Sequence, residues 1–407
     1  MNGISTEHAS PLSFAPQPLI PPAPLGSEWT EFWPLDSSYD FLNHGSFGSV
    51  PRPVREAHAR YGDLVESRPI EVLGRRYREL LAPARERVSR FLRADSAGLG
   101  FVTNATEGVN AVLRSIELRP GDVLVTTDHV YRAIHQTMKY IARRAGAEVR
   151  VVPIPLPTSG PDEIVDRIER ALDGRTRIVV VDHVTSPTAL IFPVERIAAV
   201  CRARGIASLI DGAHAPGMLD LDIAAVGATY YAGNLHKWVC APKGCAFVWA
   251  DESVRQSVHP ATVSHFLDEG FDAEFDWQGT RDIGAWLTAQ DAIALFEPLT
   301  WRRLREHNRG LARWAHAHLC EALGAVPRSP ASDDMLGAMA AVVLPEHLCR
   351  HWENAEALQA DLYQRERIEV PIVDWGGRWH VRVSCQAYNR PEQVERLSEA
   401  LLSRAHR

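Results

Sequence analysis

The chain has 407 residues, 45% of them hydrophobic and 23% charged, with 44 basic against 51 acidic side chains and a net charge of −7. That length predicts two packed units rather than one small core, and the mild acidity without any Lys/Arg run argues against a nucleic-acid partner. No window of about 18 uncharged apolar residues predicts a membrane helix, and the six cysteines show neither a CxxC pair nor zinc spacing, so a cytoplasmic protein with reduced thiols and no metal is expected.

The chain opens with MNGISTEHASPLSFAPQPLIPPAPLG, which lacks the basic and continuous apolar regions of a signal peptide. It is Pro-rich and reads as an irregular or extended arm over residues 1–30. From residue 98 strand and helix patterns alternate. GLGFVT (98–103) is a strand and Ala105 to Leu118 a helix. DVLVTT (122–127) is a strand and Tyr131 to Gly146 a helix. EVRVVPI (148–154) is a strand and Pro161 to Asp173 a helix. RIVVVDHV (177–184), the most apolar strand, precedes a helix from Pro193 to Arg204. IASLID (206–211), ATYYAG (228–233) and CAFVWA (245–250) complete the set. Strands alternating with helices of 10–15 residues predict an α/β unit, residues 31–284, with a mainly parallel central sheet flanked by helices. The stretch from His259 to Trp277 is too irregular for a helix. Beyond residue 285 helices dominate (Ala285 to Ala325, Ala355 to Arg367), with short strands at 340–345 and 380–385. That predicts a smaller α+β unit over 285–407.

In open α/β sheets ligands bind beyond the carboxyl ends of the strands. Five such ends carry polar or aromatic groups: TNATEG (103–108), DHVY (128–131), TSPT (185–188), DGAH (211–214) and GNLHK (233–237). TNATEG opens a helix, where free N–H groups and hydroxyls hold a phosphate. Simple capping by Asn104 with Glu107 as its capping-box partner explains it equally well. Asp211 follows an apolar strand, and a buried carboxylate needs a cation; a protonated pyridine nitrogen serves, as does a structural ion pair. Tyr131 stacks on a flat ring or fills core. His214 donates to a phenolate oxygen or is a satisfied loop histidine. Lys237 stands in GNLHKWVCAPKG, a stretch too apolar for a solvated loop. A desolvated lysine loses its proton more readily and attacks carbonyls; the alternative is a lysine snorkelling at a core edge. Phosphate, pyridinium, ring and aldehyde are the features of pyridoxal phosphate, and each has a candidate group.

The series ATEG, TTDHVY, HVTSPTA, DGAHAPG, GNLHKW with APKG, GTRD and RVSCQAYN, together with FLNHGSFGSVP (41–51), resembles the class V aminotransferases of the fold type I pyridoxal-phosphate enzymes, over about residues 30–400. Within them the chain is most similar to the isopenicillin N epimerase branch. The resemblance implies that Lys237 is the Schiff-base lysine and that Asp211 keeps the pyridine nitrogen protonated. It places Tyr131 on the ring and His214 beside the phenolic oxygen. Ala105, Thr106, His236 and Asn234 fall at the phosphate, and Ser186 faces the cofactor. Gly279 and Thr280 would reach the phosphate of the neighbouring subunit, which implies a homodimer with shared sites. Arg382 would grip a substrate carboxylate, and Asn43, His44 and Gly45 would close over the substrate. Arg68, Arg75 or Arg76 would meet a distal acidic group, unless they are solvated helix arginines.

Cysteine desulfurases of this class carry a nucleophilic cysteine on the loop before the carboxylate arginine. Here that loop reads RIEVPIVDWGGRWHV, so sulfur abstraction from free cysteine is disfavoured. The expected activity is Cα deprotonation of an amino-acid substrate, in an epimerase-like reaction. The alternatives are a carbon–sulfur β-lyase of the cysteine-conjugate or hercynylcysteine sulfoxide type, an aminotransferase and, remotely, a pyridoxal-phosphate-binding protein without turnover.

Overall fold

The computed structural model describes residues 22–325 and 333–404, so most of the predicted arm, residues 1–21, lies outside the described residues. The rest of the arm includes one helical turn, Ser27–Thr30. Among the described residues twelve strands follow in chain order: β1 (Asp40–Phe41), β2 (Leu99–Val102), β3 (Val123–Thr127), β4 (Glu148–Val152), β5 (Thr176–Asp182), β6 (Ala207–Gly212), β7 (Tyr230–Asn234), β8 (Ala246–Ala250), β9 (Met339–Val343), β10 (Ile368–Glu369), β11 (Ile372–Trp375) and β12 (Arg378–Ser384).

Seven strands form the large sheet in the order β2-β8-β7-β6-β5-β3-β4. Only β8 runs against the others, so the predicted mainly parallel sheet is what the chain builds. The central strands are apolar on both faces because helices cover both. The edge strand β4 is half exposed and carries Glu148 and Arg150. Helix ends follow local chemistry: Arg132–Ala145 stops where Gly146 takes a left-handed conformation. Strand register then sets the site. Asp182 pairs with Asp211 at the carboxyl ends of β5 and β6, and Gly212 pairs with Gly233 on β7.

The second core gathers around the antiparallel sheet β11-β12-β9 and the helices Trp301–Leu323, Ala355–Glu366 and Pro391–Leu402. The segment after the arm belongs with it. β1 pairs with β10, Leu42 is buried in this core, and Asn43 bridges to Ser384.

Two elements differ from the sequence reading. The stretch 259–277, expected to be irregular throughout, contains a helix at Phe271–Asp276, whose Phe271 and Phe275 pack under β2. The helical region after residue 285 divides into Gly284–Leu287, Ala289–Leu295 and Trp301–Leu323. The first two bury Trp286, Leu287 and Ile293 in the core of the large sheet, Trp301 still packs against it, and the second core takes up the long helix from Leu311. No helix among the described residues is long and apolar enough to cross a membrane.

Candidate active site

The site is built around the turn between β7 and β8. The backbone N–H groups of Leu235 and His236 both donate to the Cys245 carbonyl, at 3.0 and 3.1 Å, and fix the turn that carries Lys237. Leu235, Trp238, Val239, Cys240 and Ala241 are buried, which explains why this loop is apolar. It is sandwiched between two segments that come too close for side chains. Gly217 of DGAHAPG has φ +83°, and a Cβ there would lie 2.7 Å from the Trp238 carbonyl. Gly48 has φ +70°, and a Cβ there would lie 2.3 Å from the His236 carbonyl.

Lys237 lines a cavity of about 490 Å³ at the carboxyl ends of the strands. Its Nζ lies 3.1 Å from Nε2 of His214. Burial lowers the Lys237 pKa to about 7, helped by Arg382 and opposed by Asp211 and Asp182. The chain has three lysines. The nearby Lys243 does not line the cavity; its Nζ donates to the Gly48 carbonyl at 3.0 Å.

Asp211 is 3% exposed and accepts the Ala213 N–H at 3.0 Å. Burial raises its pKa, against the pull of that N–H and of Lys237. Asp182, beside it on β5, is a cavity residue that sequence reasoning missed. It is 4% exposed, accepts the Tyr131 N–H at 3.4 Å, and is pushed well above the ordinary carboxylate range by burial and then by Asp211. The available signal was its place at the end of the most apolar strand, the position Asp211 holds on β6. Neither carboxyl group has an ion-pair partner among the described residues, so a cationic ligand atom would find both free to ionise beside it.

At the other end, the helix Ala105–Ser115 points its N-terminus into the cavity. Capping occurs: Asn104 Oδ1 accepts the Glu107 N–H at 2.9 Å, and the Glu107 carboxylate accepts the N–H and hydroxyl of Thr103 at 2.6 Å. Asn234 Oδ1 takes the Ala105 N–H at 2.8 Å, so these two residues brace one another. Thr106 and His236 also line the cavity at this end. His236 is held by the Cys245 carbonyl at 3.1 Å, and burial lowers its pKa to about 4. Tyr131 lies at the mouth, 44% exposed.

Arg382, on β12 of the smaller unit, lies behind the cavity wall and reaches its lining residues Ser186 and Ser46. It is 5% exposed and has no carboxylate partner among the described residues. Nη1 donates to the carbonyl and hydroxyl of Ser186, and Nη2 donates to the Ser46 hydroxyl at 3.2 Å. Nε, on the same edge of the guanidinium as Nη2, is buried without a partner. A buried cation held only by neutral oxygens keeps donors free for an anionic group.

The N-terminal segment is arranged differently from the expectation. Ser46 and Phe47 line the cavity, and Phe47 is 74% exposed at its mouth. Asn43, His44 and Gly45 are buried behind them. His44 bonds the Tyr388 hydroxyl at 2.8 Å and the Lys237 carbonyl at 3.0 Å, and burial drops its pKa to about 3. It supports the lysine loop from outside the cavity. Gly279 and Thr280 lie on a turn outside the cavity of their own protomer. Arg68 and Arg76 are engaged with Glu71 and Glu79, and with Arg75 lie outside the cavity. The six cysteines are also outside it, and burial pushes the Cys240 and Cys385 thiols up to about 12.

The chain belongs to the class V aminotransferase family, whose model matches residues 49–397. It is therefore a pyridoxal-phosphate-dependent enzyme of fold type I. It is 35% identical to the isopenicillin N epimerase of Amycolatopsis lactamdurans over 385 residues, covering 90% of this chain and 95% of that one. It is 28% identical to an L-cysteine desulfhydrase of Arabidopsis thaliana over 396 residues, covering 88% and 86%. In fold it resembles the cystine C-S lyase C-DES, with a TM-score of 0.76 at 20% identity over 90% of this chain and 97% of the other.

Proposed function

We propose that this enzyme removes the Cα proton of an amino-acid substrate in an epimerase-like reaction, with Lys237 as the base and Arg382 as the carboxylate receptor. The observation that carries the reading is Arg382: a buried, unpaired guanidinium joined through Ser186 and Ser46 to the cavity that holds a desolvated lysine.

The residues present fit pyridoxal phosphate. Two buried carboxyl groups suit a cation, a helix N-terminus suits an anion, and a lysine lines the same cavity. Bound there, pyridoxal phosphate supplies a carbonyl for the substrate amine and a ring that withdraws electrons from Cα. Asp211 would hold a proton on the ring nitrogen. Thr106, with the helix N-terminus behind it, and His236 would hold the phosphate. Tyr131 covers the mouth, and Arg382 fixes which Cα bond the lysine meets. With its amine free, Lys237 would take up the Cα proton, which suits a group with a pKa near 7.

A second reading, elimination of a sulfur leaving group from Cβ, shares this first step and is favoured by the desulfhydrase relatives. Thiol-mediated sulfur transfer has no candidate group, because none of the cysteines lines the cavity. We further propose a homodimer in which Gly279 and Thr280 complete the partner's phosphate site. A cysteine-conjugate substrate in deuterated water separates the readings. Inverted, deuterated, otherwise intact substrate means epimerase; pyruvate and ammonia mean lyase. If no amino acid exchanges its Cα proton, the proposal falls.

A further inference from the structure

His214 raises a question of proton placement. Its Nδ1 faces the indole N–H of Trp238 at 3.4 Å, and its Nε2 faces Nζ of Lys237 at 3.1 Å. An indole N–H only donates, so Nδ1 presents its lone pair. The single proton of a neutral imidazole then sits on Nε2 and points at Lys237. Only an amine with a free lone pair accepts it. We infer that Trp238 is a positioning residue: its indole sets the tautomer of His214 and, through it, holds Lys237 in the neutral amine form.

The surroundings agree. His214 is 2% exposed, and burial, with Lys237, Arg382 and His236 nearby, holds its pKa far below the ordinary range, so the ring stays neutral. Lys237 faces Arg382 from β12, His214 from the loop after β6, and the carboxylates of Asp211 and Asp182. The carboxylates favour the ammonium, so a donor aimed at Nζ tips the balance toward the amine. Trp238 itself is 1% exposed and immobilised on several sides. Gly217 packs on its backbone, a Cβ on Gly45 would lie 3.5 Å from its ring, and the His44 ring sits 5.1 Å away. The indole is thus aimed by packing, and His214 has little room to choose another partner.

The geometry stands alone, but its consequence rests on the pyridoxal-phosphate reading. A neutral Lys237 is the form that attacks a carbonyl. When Nζ is committed elsewhere, the Nε2–H of His214 remains a donor for an oxygen acceptor in the cavity. Replacing Trp238 with Phe removes the indole donor. Nδ1 can then carry the proton, and Nε2 can accept from an ammonium, so protonated Lys237 gains a partner.

The test uses the full-length protein labelled with ¹⁵N-histidine and ¹³C,¹⁵N-lysine, with and without pyridoxal phosphate; three lysines keep the spectrum simple. His214 is assigned from the spectrum of His214→Gln. Wild type is expected to show His214 protonated on Nε2 alone and Lys237 titrating near 7 without cofactor. In Trp238→Phe the Nδ1-protonated form should appear and the Lys237 midpoint should rise by about one pH unit. Wild-type His214 protonated on Nδ1 overturns the inference, and this holds even if Trp238→Phe does not fold. A folded Trp238→Phe with only a lower melting temperature also overturns it, since that is a purely structural role. Failure of the loaded protein to fix its cofactor on Lys237 would sink the proposed function and leave the tautomer measurement standing.

Discussion

Arg382 offers the sharpest test of the site. Replacing it with Gln keeps a polar, hydrogen-bonding side chain near Ser186 and Ser46 and removes the charge. Hydrogen bonds to charged groups contribute about 1.5–3 kcal/mol each, and losing one partner of a buried charge pair costs about 2–5 kcal/mol. A loss of about 3 kcal/mol corresponds to roughly a hundredfold fall in kcat/KM. The same change removes a positive neighbour of Lys237, so the ammonium is less penalised and the Lys237 midpoint moves up from about 7. The assay compares Cα–H exchange for an amino acid with exchange at the equivalent carbon of the matching amine that lacks the carboxylate. Arg382→Gln should penalise the amino acid by two decades and leave the amine within a few-fold. Arg382→Lys should recover part of the loss, since it restores the charge but not the two-donor edge. Equal losses on both substrates, or no loss on the amino acid, would refute the assignment of Arg382 as the carboxylate receptor.

Four further outcomes are expected. Borohydride reduction of the loaded protein should place the pyridoxyl group on Lys237, and peptide mapping that finds it on Lys243 would overturn the central assignment. Asp211→Asn should lower turnover by about two decades or more and loosen the cofactor, read by absorbance titration. For Asp182 the sign is set by its raised folded-state pKa: its contribution is stabilising at low pH and is lost as pH rises through that value. The cofactor-free Asp182→Asn protein should therefore melt higher than wild type near pH 8 and close to it near pH 3; a lower melting temperature at pH 8 would contradict this. Sedimentation should give a dimer, and Thr280→Val should weaken phosphate retention; a monomer that keeps its cofactor would refute the shared site.

Local patterns made the parallel sheet legible, because strands covered by helices on both faces must be apolar along their whole length, as Ile178 to Val181 are. The rim was legible for a related reason: polar residues that end such runs have one place to go, the carboxyl edge of the sheet. Lys237, Asp211, His214 and Thr106 are all found there. Asp182 was overlooked because one acidic residue at a strand end has no meaning until register sets it beside another. The helix Phe271–Asp276 was overlooked because six residues give only single i,i+4 pairs, Phe271 with Phe275 and Asp272 with Asp276, too short a run to establish a period, and contacts under β2 decide its fold.

The N-terminal segment marks the boundary between the two kinds of information. The string NHGSFG showed that this stretch is unusual, but not which side chains face inward. That depends on β1 pairing with a strand more than three hundred residues away and on Gly48 passing under the His236 carbonyl. These contacts bury His44 and turn Ser46 and Phe47 toward the cavity. The sequence by itself determined the chemistry on offer, since residue type sets what can donate, accept or attack. The tertiary structure decided charge state and partnership: Lys237 gives up its proton near pH 7 and Arg382 has no counter-ion among the described residues because long-range packing removes water and chooses each neighbour.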